Sequence, residues 1–216
     1  MQFPTDARAP ESRKHYELRT ALFQIAKLAL SSVASIGSDQ LVYWNASDPS
    51  RCVAPDLLIR LGGPDTFFES WKTWERGSPE IAVEILSESN ATEMSWADQL
   101  QRYHECGVQE VVRFDPVAPA ECLRVWDRIR GDLVERALND PLVAESAVLG
   151  LCWIVVKDLA LGRLLRLAKD ASGGRLLPTP VEREAMKRFE AERRVHELEE
   201  QLRNQKDSTP IKRFEY

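Results

Sequence analysis

The sequence predicts a mixed α/β (α+β) domain with a charged helix appended at its C-terminus. Three observations predict this. A helical apolar repeat opens the chain, from Glu11 to about Ser32. Two apolar runs of strand length follow, residues 54–61 and 80–87, and each carries one acid among β-formers, Asp56 and Glu84. A long, highly charged helical pattern closes the chain after Pro178-Thr179-Pro180.

Taken in order, residues 1–10 read as a loose lead. In the first helix Leu18, Ala21, Leu22, Ile25, Leu28 and Ala29 recur at helical spacing. Residues 35–39 break it, with Gly37 expected to supply the turn. Residues 40–45 read as a short strand and 46–51 as a loop rich in turn formers. The first acid-bearing strand, 54–61, ends at the turn Gly62-Gly63-Pro64-Asp65. Residues 67–75 hold Phe67, Phe68, Trp71 and Trp74 and read as a short helix or structured loop. These aromatics are expected to act as lid or core, because base stacking usually uses a strand platform. After the turn at 76–79 comes the second acid-bearing strand.

Asn90 or Thr92 is expected to cap a helix that runs to about Cys106, with Gly107 just past its end. Residues 108–114 read as a strand turned by Asp115-Pro116. Residues 122–127 and 133–138 alternate around Arg130-Gly131, the pattern of a hairpin. Two further strands are expected at 149–156 and 163–167. Gly173-Gly174 and Pro178–Pro180 mark a boundary, with Thr179 as N-cap and Pro180 in the first helical position. In the final helix, to about Lys206, Val181, Met186, Phe189, Val195, Leu198 and Leu202 form only a broken apolar seam. The remaining charges stand at pairing distances, so the helix reads as solvated or as a short coiled coil. The implied organisation is a lead over 1–11, a domain over 12–180 and a helical tail over 181–216, whose last residues, 208–216, are expected to be poorly ordered.

Composition bounds the function. The 216 residues, 44% hydrophobic and 29% charged, suffice for one domain with a sizeable core plus an appendage. No apolar run approaches the roughly 18 residues of a membrane-spanning helix, and the N-terminus shows no secretory apolar segment. A cytoplasmic protein with no membrane partner is expected. The cysteines Cys52, Cys106, Cys122 and Cys152 form no C-x-x-C pair and show no zinc spacing with histidine, so free thiols are expected. His15, His104 and His196 read as satisfied or exposed side chains. A net charge of −5 argues against extended nucleic-acid binding without excluding a local basic face.

Asp56 and Glu84 carry the sharpest signal. A carboxylate within an apolar run costs several kcal/mol to bury unless it finds a partner or a metal. Two of them on neighbouring strands, with side chains on one side of the sheet, make a hard-cation site. The alternative is that Asp56 caps a strand after Pro55 and that Glu84 points to solvent from an edge strand.

The ordered motifs extend this reading. They are Ala54-Pro55-Asp56, Trp74-Glu75-Arg76-Gly77-Ser78-Pro79, Val83-Glu84-Ile85-Leu86-Ser87 with Thr92 after it, Tyr103-His104-Glu105-Cys106-Gly107-Val108-Gln109-Glu110 and Phe114-Asp115-Pro116. Later come Leu149-Gly150-Leu151 and the lead into the charged helix, 177–182. Together they resemble the Uma family of restriction-endonuclease-like proteins, in the PD-(D/E)xK nuclease superfamily, over roughly residues 12–182. The resemblance implies a mixed central sheet flanked by helices, with Asp56 and Glu84 as ligands of Mg²⁺ or Mn²⁺ and nucleic acid as substrate. It also implies pairing into a homodimer, the commonest closed assembly. Family members place a lysine four residues before the tyrosine matching Tyr103, and an acid four residues before that lysine. This chain has Gln99 and Ser95 there. Gln99 therefore stands in the third catalytic position, and Arg102 is the nearest alternative cation on the same helix. Two further readings follow from that departure. One is a catalytically inactive relative that acts through binding or dimerisation. The other is a dimerisation module with no nucleic-acid role.

Overall fold

A computed structural model describes residues 12–63, 65–87, 95–118 and 120–207. The expected lead before residue 12, the caps at Asn90 or Thr92 and the end of the tail after residue 207 lie outside the described residues.

The first helix, α1 (Arg13–Leu30), is capped by Ser12, whose side chain accepts from the His15 amide at 3.2 Å. Leu18, Leu22 and Ile25 recur on one face and are fully buried. Burying a side chain of this size contributes about 1.5–3 kcal/mol. The chain then enters β1 (Ala34–Gly37), followed by the short strands β2 (Val42–Tyr43) and β3 (Cys52–Val53). The acid-bearing runs form β4 (Leu57–Leu61) and β6 (Ile81–Ile85), separated by β5 (Trp71–Lys72) and the short helix α2 (Thr73–Arg76). Helix α3 (Trp96–Cys106) crosses over to β7 (Glu110–Phe114). Strands β8 (Leu123–Ile129) and β9 (Asp132–Glu135) form the hairpin, and β10 (Val143–Ser146), β11 (Leu151–Asp158) and β12 (Gly162–Ala168) complete the domain.

Six strands make the main sheet, in the order β1-β4-β6-β7-β8-β9. Within it β6 and β7 run parallel, as a helical crossover requires, and their neighbours run antiparallel. Two smaller sheets, β10-β11-β12 and β3-β2-β5, flank it. Alternation along β6 sends Ile81, Val83 and Ile85 into the core that holds the α1 leucines and Trp153. Ala82 joins a second core with Tyr103 and Cys106 of α3. The sheet is thus buried on both faces, which explains why its central strands read as continuous apolar runs.

Some expectations change. Residues 34–37 are an edge strand rather than a turn. A Cβ at Gly37 would meet Gln40 Oε1 at 2.6 Å and the Phe68 ring at 2.8 Å, so this glycine answers a close approach. Helix α3 starts at Trp96, where the Ser95 side chain accepts from the Asp98 amide at 3.1 Å. Strand β10 was not foreseen. The aromatic stretch divides between fates: Trp71 is buried, whereas Phe67 and Trp74 are exposed. At the hairpin tip Arg130 and Gly131 both have positive φ, 53° and 101°, the backbone of a two-residue mirror-image turn. All four cysteines are thiols outside any disulfide.

The chain divides into two compact units, Met1–Leu177 and Pro178–Tyr216. The second holds α4 (Pro180–Asp207). Its start is a reciprocal cap: the Thr179 amide donates to Glu182 Oε2 at 2.7 Å, and the Glu182 amide donates to Thr179 Oγ1 at 3.1 Å. No helix among the described residues is long and apolar enough to cross a membrane.

Candidate active site

Strands β4 and β6 pair with Leu57 opposite Val83, so one further step sets Asp56 against Glu84. Both acids are buried, at 1% and 4% exposure, and β6 lies inside the sheet. Glu84 therefore does not face solvent from an edge. Asp56 stands just outside the ladder after Pro55, which leaves its carboxylate able to bend over the peptide that joins Glu84 to Ile85.

That carboxylate is held by specific donors. Asp56 Oδ2 accepts from the Ile85 amide at 2.6 Å and lies 3.1 Å from His15 Nε2. The same imidazole nitrogen is 2.8 Å from the Ile85 carbonyl oxygen. Both of its partners accept, so Nε2 carries the proton. Arg19 follows one turn later on α1, with Nε 4.0 Å from Asp56 Oδ1. Arg19 also donates from Nη1 to Ser38 Oγ at 3.0 Å, and that hydroxyl donates to the Asp56 carbonyl at 2.7 Å. Asp56 Oδ1 itself is buried and has no hydrogen-bond partner among the described residues. Glu84 is held from the other layer, where its Oε1 accepts from the hydroxyl of fully buried Tyr103.

Gln99 precedes Tyr103 by one turn, which puts it on the face of α3 that reaches Glu84. It is half-buried. Arg102 does not take its place. Its Nη1 donates to the carbonyls of Ser50 at 3.1 Å and Cys52 at 2.8 Å, tying α3 to the β3 strand.

The acid row continues across the sheet. Glu84 is in register with Arg113 on β7, and Arg113 with Arg124 on β8. Sequence reasoning passed over Arg19 and Arg113, and it read His15 as a satisfied or exposed side chain with no part in the site; His15 is buried and satisfied by Asp56 and the Ile85 carbonyl. Arg113 carried the same signal as the two acids, a charge inside the apolar run Val111-Val112-Arg113-Phe114. His15 and Arg19 showed only as two polar residues one turn apart beside Leu18 and Leu22.

The donor set suits a hard cation. Carboxylate oxygens are its preferred ligands, and Mg²⁺ keeps several waters, so one or two carboxylates suffice. The orphaned Asp56 Oδ1 is an acceptor that burial makes costly to leave unfilled. Among the described residues no group of three or more His, Cys, Asp or Glu side chains is placed to hold a metal.

A family model described as "Uma2: Putative restriction endonuclease" matches residues 6–152. No curated protein matches the sequence. Among solved structures, a "putative nuclease belonging to DUF820" from Anabaena variabilis ATCC 29413 is similar, with 14% identity and a TM-score of 0.45. The similarity covers 68% of this chain and 77% of that one.

Proposed function

The chain belongs to the Uma2 family, and from that membership we propose that it is a divalent-cation-dependent nuclease that hydrolyses phosphodiester bonds at Asp56 and Glu84. The observation that carries this reading is that two buried acids stand at opposed positions of β4 and β6, and one of them keeps an oxygen without a hydrogen bond. Asp56 and Glu84 would hold Mg²⁺ or Mn²⁺. Such a cation, when bound, offsets charge on the phosphate and makes a water a better nucleophile.

The chain's own residues fix the acids beforehand. The Ile85 amide and the His15 imidazole restrain Asp56 Oδ2, and Tyr103 restrains Glu84 Oε1. Partners of this kind orient ligating carboxylates, and losing one costs about 10–100-fold in metal affinity or activity. Gln99 occupies the position that the family resemblance assigns to a lysine. Its amide can orient a water through hydrogen bonds but brings no charge. Removing one electrostatic group from such a site costs on the order of 10²–10³ in rate. The proposed enzyme is therefore slow. That deficit also favours a second reading, in which the fold serves as a binding or dimerisation module.

Calorimetric titration with Mn²⁺ tests the site. The unmodified chain should bind it and Asp56→Asn should not. The same samples should then be assayed for Mn²⁺-dependent cutting of plasmid DNA and of RNA. Equal Mn²⁺ binding by both proteins would remove Asp56 from the site and the nuclease reading with it. Mn²⁺ binding without any cutting would leave the binding-module reading.

A further inference from the structure

Glu84, Arg113 and Arg124 stand side by side on β6, β7 and β8. Residues opposite one another in a sheet project from the same face. That face is identified by residues two positions away on each strand: Ala82, Val111 and Trp126 all pack with Tyr103 and Cys106 of α3. One acid and two guanidinium groups therefore form a row beneath α3.

The two arginines are an uneasy pair by themselves, because like charges directly across a ladder repel. Arg124 is answered by Glu135, to which its Nε and Nη2 donate at 2.6 Å each. Arg113 has no ion pair among the described residues, and its buried Nε has no hydrogen-bond partner there. Burial, and then the charge of Arg124, push its pKa below the usual arginine range, while Asp115, Glu135 and Glu121 pull the other way. What holds Arg113 is aromatic. Its guanidinium lies 5.0 Å from the Trp96 ring centroid, Arg124 lies 5.0 Å from that of Trp126, and the two indoles are 4.9 Å apart. Contact with a ring face uses the quadrupole and leaves the in-plane N–H groups unspent.

We propose that Arg113, backed by Arg124, is a subsite for a backbone phosphate of nucleic acid lying beside the Asp56–Glu84 pair. A guanidinium fork matches two phosphate oxygens with two parallel N–H bonds. Neighbouring strands lie about 4.8 Å apart, so a phosphate on Arg113 sits one strand from Glu84. An anion there would relieve the repulsion between the arginines and fill the unmet donor. Arg113 itself sets a positive charge on the strand beside Glu84, the element Gln99 does not supply. The identity of the anion rests on the nuclease reading. The existence of the subsite rests on the row itself.

The test measures binding, in EDTA, of a short fluorescein-labelled DNA duplex by anisotropy across a salt series. Each phosphate contact contributes about 0.9 to the slope of log K against log salt. Arg113→Met should weaken binding about tenfold at low salt, as loss of a charged hydrogen-bonded contact does. It should also lower the slope by about one, whereas Arg113→Lys should keep it. Should Arg113→Met fail to fold by circular dichroism, Arg124→Gln, at a half-exposed position, carries the test with a smaller fall of the same sign. Unchanged affinity and slope in the folded variants would overturn the subsite, as would the absence of any DNA binding by the unmodified chain. Asp56→Asn keeps the two readings apart. It should retain DNA binding in EDTA, so continued cutting by that variant would sink the nuclease site while leaving the Arg113 result standing.

Discussion

Glu110 and Asp56 are both buried acids, yet their surroundings differ. Asp56 receives an amide, an imidazole N–H and a nearby guanidinium. Glu110, wholly buried, takes one N–H from Trp153 Nε1 at 2.9 Å, while its Oε2 lacks a hydrogen bond and Arg136 stays 3.7 Å away. Burial raises the Glu110 pKa above the carboxylate range, against the opposing pulls of Trp153, Ser146 and Arg136. The folded state therefore holds this proton more tightly than the unfolded chain does. Glu110 contributes stability at low pH, and that contribution is lost as pH rises from the ordinary carboxylate pKa through the raised one. Glu110→Gln should remove this dependence, so its melting temperature should gain on the unmodified protein as pH climbs. A difference that stays constant with pH in thermal unfolding would refute this.

The other residue-scale prediction concerns Gln99→Lys, which should raise metal-dependent cutting by on the order of 10²–10³ if the rest of the site is intact. No gain, with Mn²⁺ binding preserved, would show that the deficit lies elsewhere. Asp56 and Glu84 were legible in the sequence because a charge among β-formers has no cheap local explanation. His15 was not, because the atoms that explain it are 41 and 70 residues away.

Elements were legible where the pattern was long. The first helix, both acid-bearing strands and the Arg130-Gly131 hairpin lie close to where periodicity and turn chemistry put them. Misses fell on short pieces. Ser35 and Gly37 look like breakers, and Val143-Ala144-Glu145-Ser146 has too little apolar character to announce a strand; pairing across the sheet decides both. Helix α4 was legible from Thr179 and Pro180, and its described side chains from Val181 to Asn204 are exposed throughout. An isolated helix is marginal in water, so α4 is expected to gain order by pairing with a second copy through Phe189, Leu198 and Leu202. Deleting residues 183–216 should leave the circular dichroism of the remaining domain cooperative on melting while lowering the mass seen by light scattering from dimer to monomer. Loss of the domain's own transition would mean that the tail belongs to its core. An unmodified chain that stays monomeric at high concentration would remove the pairing role.

At the scale of the whole domain, two cores share one sheet, and the two candidate acids are held from both of them. Asp56 is fastened by α1 in one layer and Glu84 by α3 in the other. The motif order pointed to the family, but no single segment revealed this division, since it depends on which face each strand turns to which helix. The layer that holds Asp56 closes the chain on itself: Leu18 and Leu22 of α1 share their core with Trp153 and with Leu165 and Leu167 of β12. During synthesis this imposes an order. Helix α1 is made before every strand it packs on, and one of those strands, β12, is among the last parts of the domain to appear. Until Gly162–Ala168 has been made, the helix that carries this imidazole rests on β1, β4 and β6 but lacks the cover of β12. A chain ended before Gly162 would thus carry both acids beside a helix whose apolar face is only partly covered.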